Sequence, residues 1–364
     1  MAWLMLLMFG GTAGAYWIQG LPSAAVFLWL GLGYGFVFYK SCLCFASAFY
    51  GKRPELLRGI LLGLLVASVG STIILALGLN RISVVPYGAH TLIGSLLFGF
   101  ALPFTGGCMT GTLYRLGGGQ TKSLFTFIGL LVGNGLGAAY AWQLTEPLLN
   151  FGWRFYLPDF IGLVPTTLLN VAIITWLYRR LRAPTAAAPA SPASALSVSA
   201  VMQRAWPAWV GGLAVAALFV AQFAYQSVLT VQLPLARFSL WLSSALGLST
   251  QGLAWANFWG LREPAQDPGF HLDVGLIAGA MIASLVMNEF AYFRDWNVKD
   301  AFVGWLAGLV MGVAVWLAIG CNVSGFWGTV ATLRFEGWLY AIGMFIGVRL
   351  GLRALTELVA RDIL

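Results

Sequence analysis

The chain has 364 residues, of which 60% are hydrophobic and only 9% are charged, against roughly a quarter charged in an ordinary soluble domain. Its formal charge of +8, from 20 Lys and Arg against 12 Asp and Glu, is scattered between apolar runs and is not gathered into the basic stripe that binds a polyanion. A soluble globular enzyme, a disordered chain and a nucleic-acid binder are therefore excluded; the mean hydropathy of +0.84 with 16 Trp, 12 Tyr and 25 Phe fits a polytopic membrane protein whose rings populate the interfaces.

The first basic residue is Lys40, so the opening apolar stretch lacks the positive leader of a cleavable signal and reads as a retained span. Apolar windows long enough to cross the hydrocarbon core fall at 2–18, 23–50, 56–79, 88–107, 123–143 and 160–179. The loop GKRPELLRG, with Lys52, Arg53 and Arg58 against Glu55, belongs to the cytoplasm by the positive-inside rule, and the loops near Arg81 and from Glu146 to Asp159 then face out. Next comes RRLRAPTAAAPASPASALSVSAVMQR, with Arg179, Arg180, Arg182 and Arg204 and no acid. It reads as a cytoplasmic Ala/Pro/Ser-rich linker over 183–204, between membrane units 1–182 and 205–364.

The second unit offers windows at 206–232, 238–260, 274–291, 298–319 and 336–356. Its charges mark sidedness poorly: Arg262 has Glu263, Asp267 and Asp273 around it, and Arg294 and Lys299 alternate with Asp295 and Asp300. If Arg349, Arg353 and Arg361 hold the C-terminus inside, one segment between 206 and 300 must fail to cross. His90, His271, Glu289 and Asp295 lie near span ends and read as interfacial.

Two stretches are too short to span and too apolar to be loops: GGCMTGTLYRLGGGQ after residue 105 and GCNVSGFWGTVATLRFEG after residue 319. Non-helical backbone at membrane depth survives only beside protein or a cavity, so both read as re-entrant, with short helices beside a path. They are also related. At an offset of 213, Gly99, Ala101, Gly107 and Cys108 fall on Gly312, Ala314, Gly320 and Cys321. With one insertion, Gly129, Gly133 and Gly137 fall on Gly343, Gly347 and Gly351. The expected fold is thus an all-α polytopic bundle of two duplicated, inverted units. Each glycine triplet marks a helix face open to close approach. The same offset sends Cys44 to Asn257, which leaves the second unit without a counterpart of that thiol.

The chain has four cysteines, Cys42, Cys44, Cys108 and Cys321. Cys42-Leu-Cys44 has no histidine nearby, which argues against a metal site, and neither a phosphate-cradling glycine motif nor another cofactor motif is present. A cysteine in a membrane helix is ordinarily a small apolar residue. Cys108 and Cys321 differ because each follows a glycine inside a break. Buried thiols without a fixed cation stay protonated, and a neutral, weak S–H donor can hold a polarizable sulfur-bearing anion and release it. Gly106, Gly107, Thr110, Gly111 and Thr112 would line the path at the first break, and Gly320, Asn322, Ser324 and Gly325 at the second. The hydroxyls and amide have a competing use in satisfying broken backbone. Arg115 and Arg334 either attract the anion or snorkel to an interface.

The segments CFASAFYG around Cys44, GGCMTGTLYRLGGG around Cys108 and GCNVSGFWG around Cys321 together resemble the YeeE/YedE family of bacterial membrane proteins. The likeness covers about 23–143 and 298–356, while 183–260 follows only by order and hydrophobicity. The resemblance implies an hourglass-like bundle in the bacterial plasma (inner) membrane, with short re-entrant helices meeting centrally. It implies uptake of thiosulfate or a related sulfur oxyanion, without a cofactor, relayed by three cysteines that correspond to Cys44, Cys108 and Cys321. It also implies a cytoplasmic sulfurtransferase partner of the TusA type. Some relatives are associated with selenium instead, and Cys42 and the long linker depart from the family pattern. A membrane thiol or persulfide oxidoreductase and a passive pore are the competing readings.

Overall fold

A computed structural model describes residues 2–51, 53–181, 203–247, 260–294 and 297–361. The first half contains α1 (Ala2–Ile18), α2 (Pro22–Ser41), α3 (Phe45–Phe49), α4 (Pro54–Ala76), α5 (Ala89–Thr105), α6 (Met109–Gly117), α7 (Thr121–Leu149, with a π turn at Gly137–Ala141) and α8 (Leu163–Arg180). The second contains α9 (Ala208–Tyr225), α10 (Gln232–Ala245), α11 (Pro268–Val286), α12 (Val298–Ala318), a π turn Asn322–Trp327 running into Gly328–Ala331, together α13, and α14 (Glu336–Ala360). Among the described residues the structure is almost wholly helical, and seven helical runs are long and apolar enough to cross a membrane. The protein is a multi-pass membrane protein. Most of the linker, and Asp295, lie outside the described residues.

Helix starts follow local chemistry: Pro22, Pro54 and Pro268 stand in the first turns of α2, α4 and α11, where a missing N–H costs nothing. Packing follows the glycines. Gly31 and Gly35 of α2 lie against Leu272 and Leu276 carbonyls of α11; Gly59 and Gly63 of α4 meet Ala208 and Gly212 of α9. Gly343, Gly347 and Gly351 of α14 sit on Leu92, Leu96 and Phe100 carbonyls of α5, and Gly129 and Gly133 of α7 on Trp305 and Leu309 carbonyls of α12. A side chain at any of these glycines would overlap the neighbouring backbone, so each pair packs at the close approach that small residues permit.

These four pairs are interlocked. Each takes one helix from either half, and in each the residue numbers rise together, so the partners run parallel. By contrast α5 and α12 run antiparallel: His90 Nδ1 approaches the Leu317 carbonyl at 3.1 Å, while Phe100 and Phe104 share an apolar groove with Val303 and Leu306. The helices α2 and α9 are antiparallel too, with Ser41 against Gly211 and Ser23 near Tyr225. Exchanging α2, α4, α5 and α7 for α9, α11, α12 and α14 maps this pairing pattern onto itself.

One expectation is revised, and one falls on residues outside those described. The helix pairing sets α10 and its preceding break, 226–231, opposite α3 and Cys44; Asn257, the residue reached by the constant offset, lies outside the described residues. Insertions within the second half shift the register there. His90 and His271 occupy span ends but are buried at 3% and 4% exposure, because each ring nitrogen Nδ1 approaches a backbone carbonyl, of Leu317 and Asp267 respectively. The segment that does not cross is α10. Since α9 opposes α2 and α11 parallels it, Tyr225 and Pro268 lie at the same end of the bundle.

Candidate functional site

Three helices end in the same way. The backbone turns left-handed at Cys42 (φ 48°), Gly106 (φ 71°) and Ile319 (φ 55°), and two residues later an extended cysteine starts the next short helix. Those cysteines are Cys44 at α3, Cys108 at α6 and Cys321 at α13. Left-handed backbone closes a helix and frees the chain to turn; the extended residue after it leaves the amides of a new first turn unbonded and pointing at the cap. The sequence pattern therefore places one thiol at the N-terminus of each of three short helices.

All three thiols lie inside the bundle, at 1%, 1% and 0% exposure for Cys44, Cys108 and Cys321. The sulfurs of Cys44 and Cys108 both face Gly111 and lie within interaction range of each other. The Gly111 amide donates to Cys108 Sγ at 3.3 Å, and the Thr112 amide to the Cys108 carbonyl at 2.7 Å. Asn322, next to Cys321, lies within interaction range of Cys108, so the two breaks adjoin. At the second break, Ser324 Oγ lies 3.4 Å from Cys321 Sγ, accepts from the Cys321 amide at 3.1 Å and donates to Gln232 Oε1 at 2.9 Å. Gly320 and Gly325 meet backbone to backbone, and Tyr340 covers Gly325.

Several buried polar atoms here have no hydrogen-bond partner among the described residues: the Thr110 hydroxyl, both side-chain heteroatoms of Asn322 and the Tyr340 hydroxyl. Buried polar atoms left without partners are costly, and a cluster of them beside three thiols is suited to a polar guest. Arg115 adds charge. Its guanidinium donates to the Gly106 carbonyl, stands over the Tyr114 ring at 5.8 Å and is within electrostatic reach of Cys44 and Cys108. No described carboxylate pairs with it. Arg334 is placed differently: it forms an ion pair with Glu336 at 3.1 Å and reaches the Ser83 carbonyl at 3.4 Å, at the opposite end of the bundle from Arg349. Cys42 is exposed, with its sulfur 3.7 Å from the Tyr39 carbonyl.

Of the residues singled out from sequence, the structure thus brings together Cys44, Cys108, Cys321, Gly107, Thr110, Gly111, Asn322, Ser324 and Arg115, and leaves Cys42 and Arg334 at the margins. Sequence reasoning missed Gln232 and Tyr340. Both sit in apolar runs, where a single polar residue at a helix start, or a tyrosine facing a glycine break, was the available signal.

A family model described as sulphur transport matches residues 40–350. The chain is 27% identical over 350 residues to the thiosulfate transporter TsuA of Spirochaeta thermophila, covering 88% of this chain and 96% of that protein. It is 23% identical over 329 residues to TsuA of Escherichia coli, covering 86% and 89%. The probable transporter YedE of Escherichia coli is 30% identical over 156 residues, 41% of this chain, and the match spans only 38% of that relative's length.

Proposed function

Because this chain belongs to the sulphur-transport family, we propose that it takes up thiosulfate or a closely related sulfur oxyanion through the bundle centre, with Cys44, Cys108 and Cys321 relaying the anion. Two relatives that align over most of their length are named thiosulfate transporters. The observation that carries the reading is the convergence of three buried cysteines, each at the N-cap position of a short helix, around Gly111 and Asn322, beside hydroxyl and amide groups without described partners. Helix N-termini and the Arg115 guanidinium supply positive potential for a dianion; thiol S–H groups offer weak donors to its polarizable sulfur.

With the thiols buried, the conduit is closed to solvent, so passage requires the breaks to part in turn. Lys40, Arg53, Lys122, Arg179, Arg180 and Arg204 gather at one end of the bundle, which the positive-inside rule assigns to the cytoplasm of a bacterial inner membrane. The linker 183–204 belongs to that side, between membrane units 1–182 and 205–364. Cys44 and Cys108 then serve the inner half of the path, Cys321 and Ser324 the outer half. A cytoplasmic sulfurtransferase of the TusA type would receive the product at the end where Cys42 is exposed.

The test is complementation of a bacterial strain lacking its own thiosulfate uptake, followed by growth on a panel of sulfur and selenium sources and by [35S]thiosulfate accumulation. Growth on thiosulfate, with accumulation of the intact anion, is expected. The contact between Cys44 and Cys108 favours one competing reading, thiol or persulfide exchange; a persulfide on Cys108 during turnover would replace relay with that chemistry.

A further inference from the structure

A thiosulfate dianion entering a cell that is negative inside moves against the membrane potential, so the uptake proposed above needs a compensating cation. Asp273 of α11 offers a place for one proton, which offsets one of the dianion's two charges. It is 2% exposed, and neither carboxyl oxygen has a hydrogen-bond partner or an ion pair among the described residues. An isolated carboxylate at such a site carries a prohibitive solvation cost, and the neutral acid is the form that fits.

Asp273 stands between the capped outer end of α11 and the contact of α11 with the helix that Cys108 caps. Asp267 caps α11, donating no proton but accepting from the Gly269 amide at 3.0 Å, and pairs with Arg237 of α10 at 3.2 Å. Asp273 lies six residues deeper along α11, about 9 Å at the helical rise. One turn further in, the Ile277 carbonyl backs Gly117 of α6, the helix that Cys108 caps. Asp267 is the charged group that acts on Asp273. The other titratable groups on elements packed around α11 are engaged elsewhere or remote in charge. His271 approaches the Asp267 carbonyl and meets the Tyr16 ring of α1 edge-on at 4.7 Å. On α2, Tyr34 stacks with Phe38, Tyr39 reaches the Glu289 carbonyl and Lys40 donates to the Arg204 carbonyl. On α6, Tyr114 stacks with Phe38 and Arg115 donates to Gly106.

We propose that Asp273 is a proton-binding site that couples anion entry to proton entry. Its carboxyl group takes a proton from the outer side, keeps it while the bundle is closed and gives it up when the inner side opens. Only a carboxylic acid, a carboxylate and a proton are interconverted; no bond to sulfur forms or breaks. The inference rests on the thiosulfate reading above, and the experiment separates the two.

Full-length protein is reconstituted in liposomes containing a pH-sensitive dye, and lumen acidification on adding external thiosulfate is followed beside [35S]thiosulfate exchange at equal pH and equal concentration. The wild type should acidify the lumen and exchange label. Asp273→Asn should lose acidification and retain exchange, and Asp273→Glu should recover acidification. Acidification that persists in Asp273→Asn, a Glu variant that fails to restore it, or wild-type uptake without acidification overturns the proton site. No uptake or exchange by the wild type overturns the thiosulfate reading, and this inference with it.

Discussion

Cys44 and Cys108, from two separate breaks, direct their sulfurs at one glycine: a β-carbon on Gly111 would stand 3.2 Å from the first and 3.4 Å from the second. The third cysteine reaches this pair through its neighbour Asn322. Gly111 is therefore a spacer that allows the two thiols to share a site. Gly111→Ala keeps good helical backbone, since α6 has no left-handed residue at this position, but pushes the sulfurs apart at a cost of about 1–3 kcal/mol. Thiosulfate uptake should fall about tenfold or more while the variant still purifies as a folded species. Uptake at the wild-type rate would show that the pair does not act as a unit.

Cys42 has a backbone role by this account. It occupies the same left-handed position as Gly106 and Ile319, two residues ahead of a buried cysteine. Glycine adopts that conformation freely, so Cys42→Gly should preserve uptake and raise or hold the melting temperature, within about 1 kcal/mol. Cys42→Val should lower the melting temperature, because a β-branched side chain resists positive φ. A large loss of uptake in a stable Cys42→Gly protein would make Cys42 a fourth relay thiol.

The two arginines should separate. Arg115 is a half-buried cation beside Cys44 and Cys108 without a described carboxylate partner, and a hydrogen bond to a charged group contributes about 1.5–3 kcal/mol. Arg115→Gln should raise the apparent KM for thiosulfate by about tenfold or more. Arg334 is already neutralised by Glu336 and lies away from the thiols, so Arg334→Gln should change KM by no more than about twofold, a difference of about 0.4 kcal/mol. Initial-rate uptake across a thiosulfate concentration series measures both.

Gly133 of α7 and Gly347 of α14 lie at equivalent places in the interlocked pairs, on the Leu309 and Leu96 carbonyls. A side chain at either meets backbone that cannot move aside. Gly133→Val and Gly347→Val should each destabilise by at least about 1–3 kcal/mol, seen as a lower melting temperature in detergent. Equal melting temperatures for wild type and both variants would contradict the close packing.

Much of this architecture is legible in the sequence because lipid imposes length and polarity on each span. The Gly-Cys breaks at Cys108 and Cys321 stand out since glycine, serine and threonine interrupt the apolar runs there. The breaks at Cys44 and before Gln232 are hidden: CLCFASAF and QSVLTVQL are apolar enough to merge into neighbouring windows, and only left-handed or extended backbone reveals the helix ends. Asp273 was hidden by a boundary. A window starting at 274 excludes it, whereas the Asp267-Pro268 cap starts the helix early enough to bury it. Tyr340 and Gln232 acquire meaning only when the halves interlock, which no local pattern encodes.

The most direct test of the thiol relay is [35S]thiosulfate uptake by Cys108→Ser and Cys321→Ser in the complemented strain, with membrane abundance of each variant measured alongside. Serine keeps the size and a hydroxyl donor but removes the polarizable sulfur, so both variants should reach the membrane at wild-type levels and lose uptake about tenfold or more. Wild-type uptake by either variant would contradict the relay and point to a pore that selects by size alone.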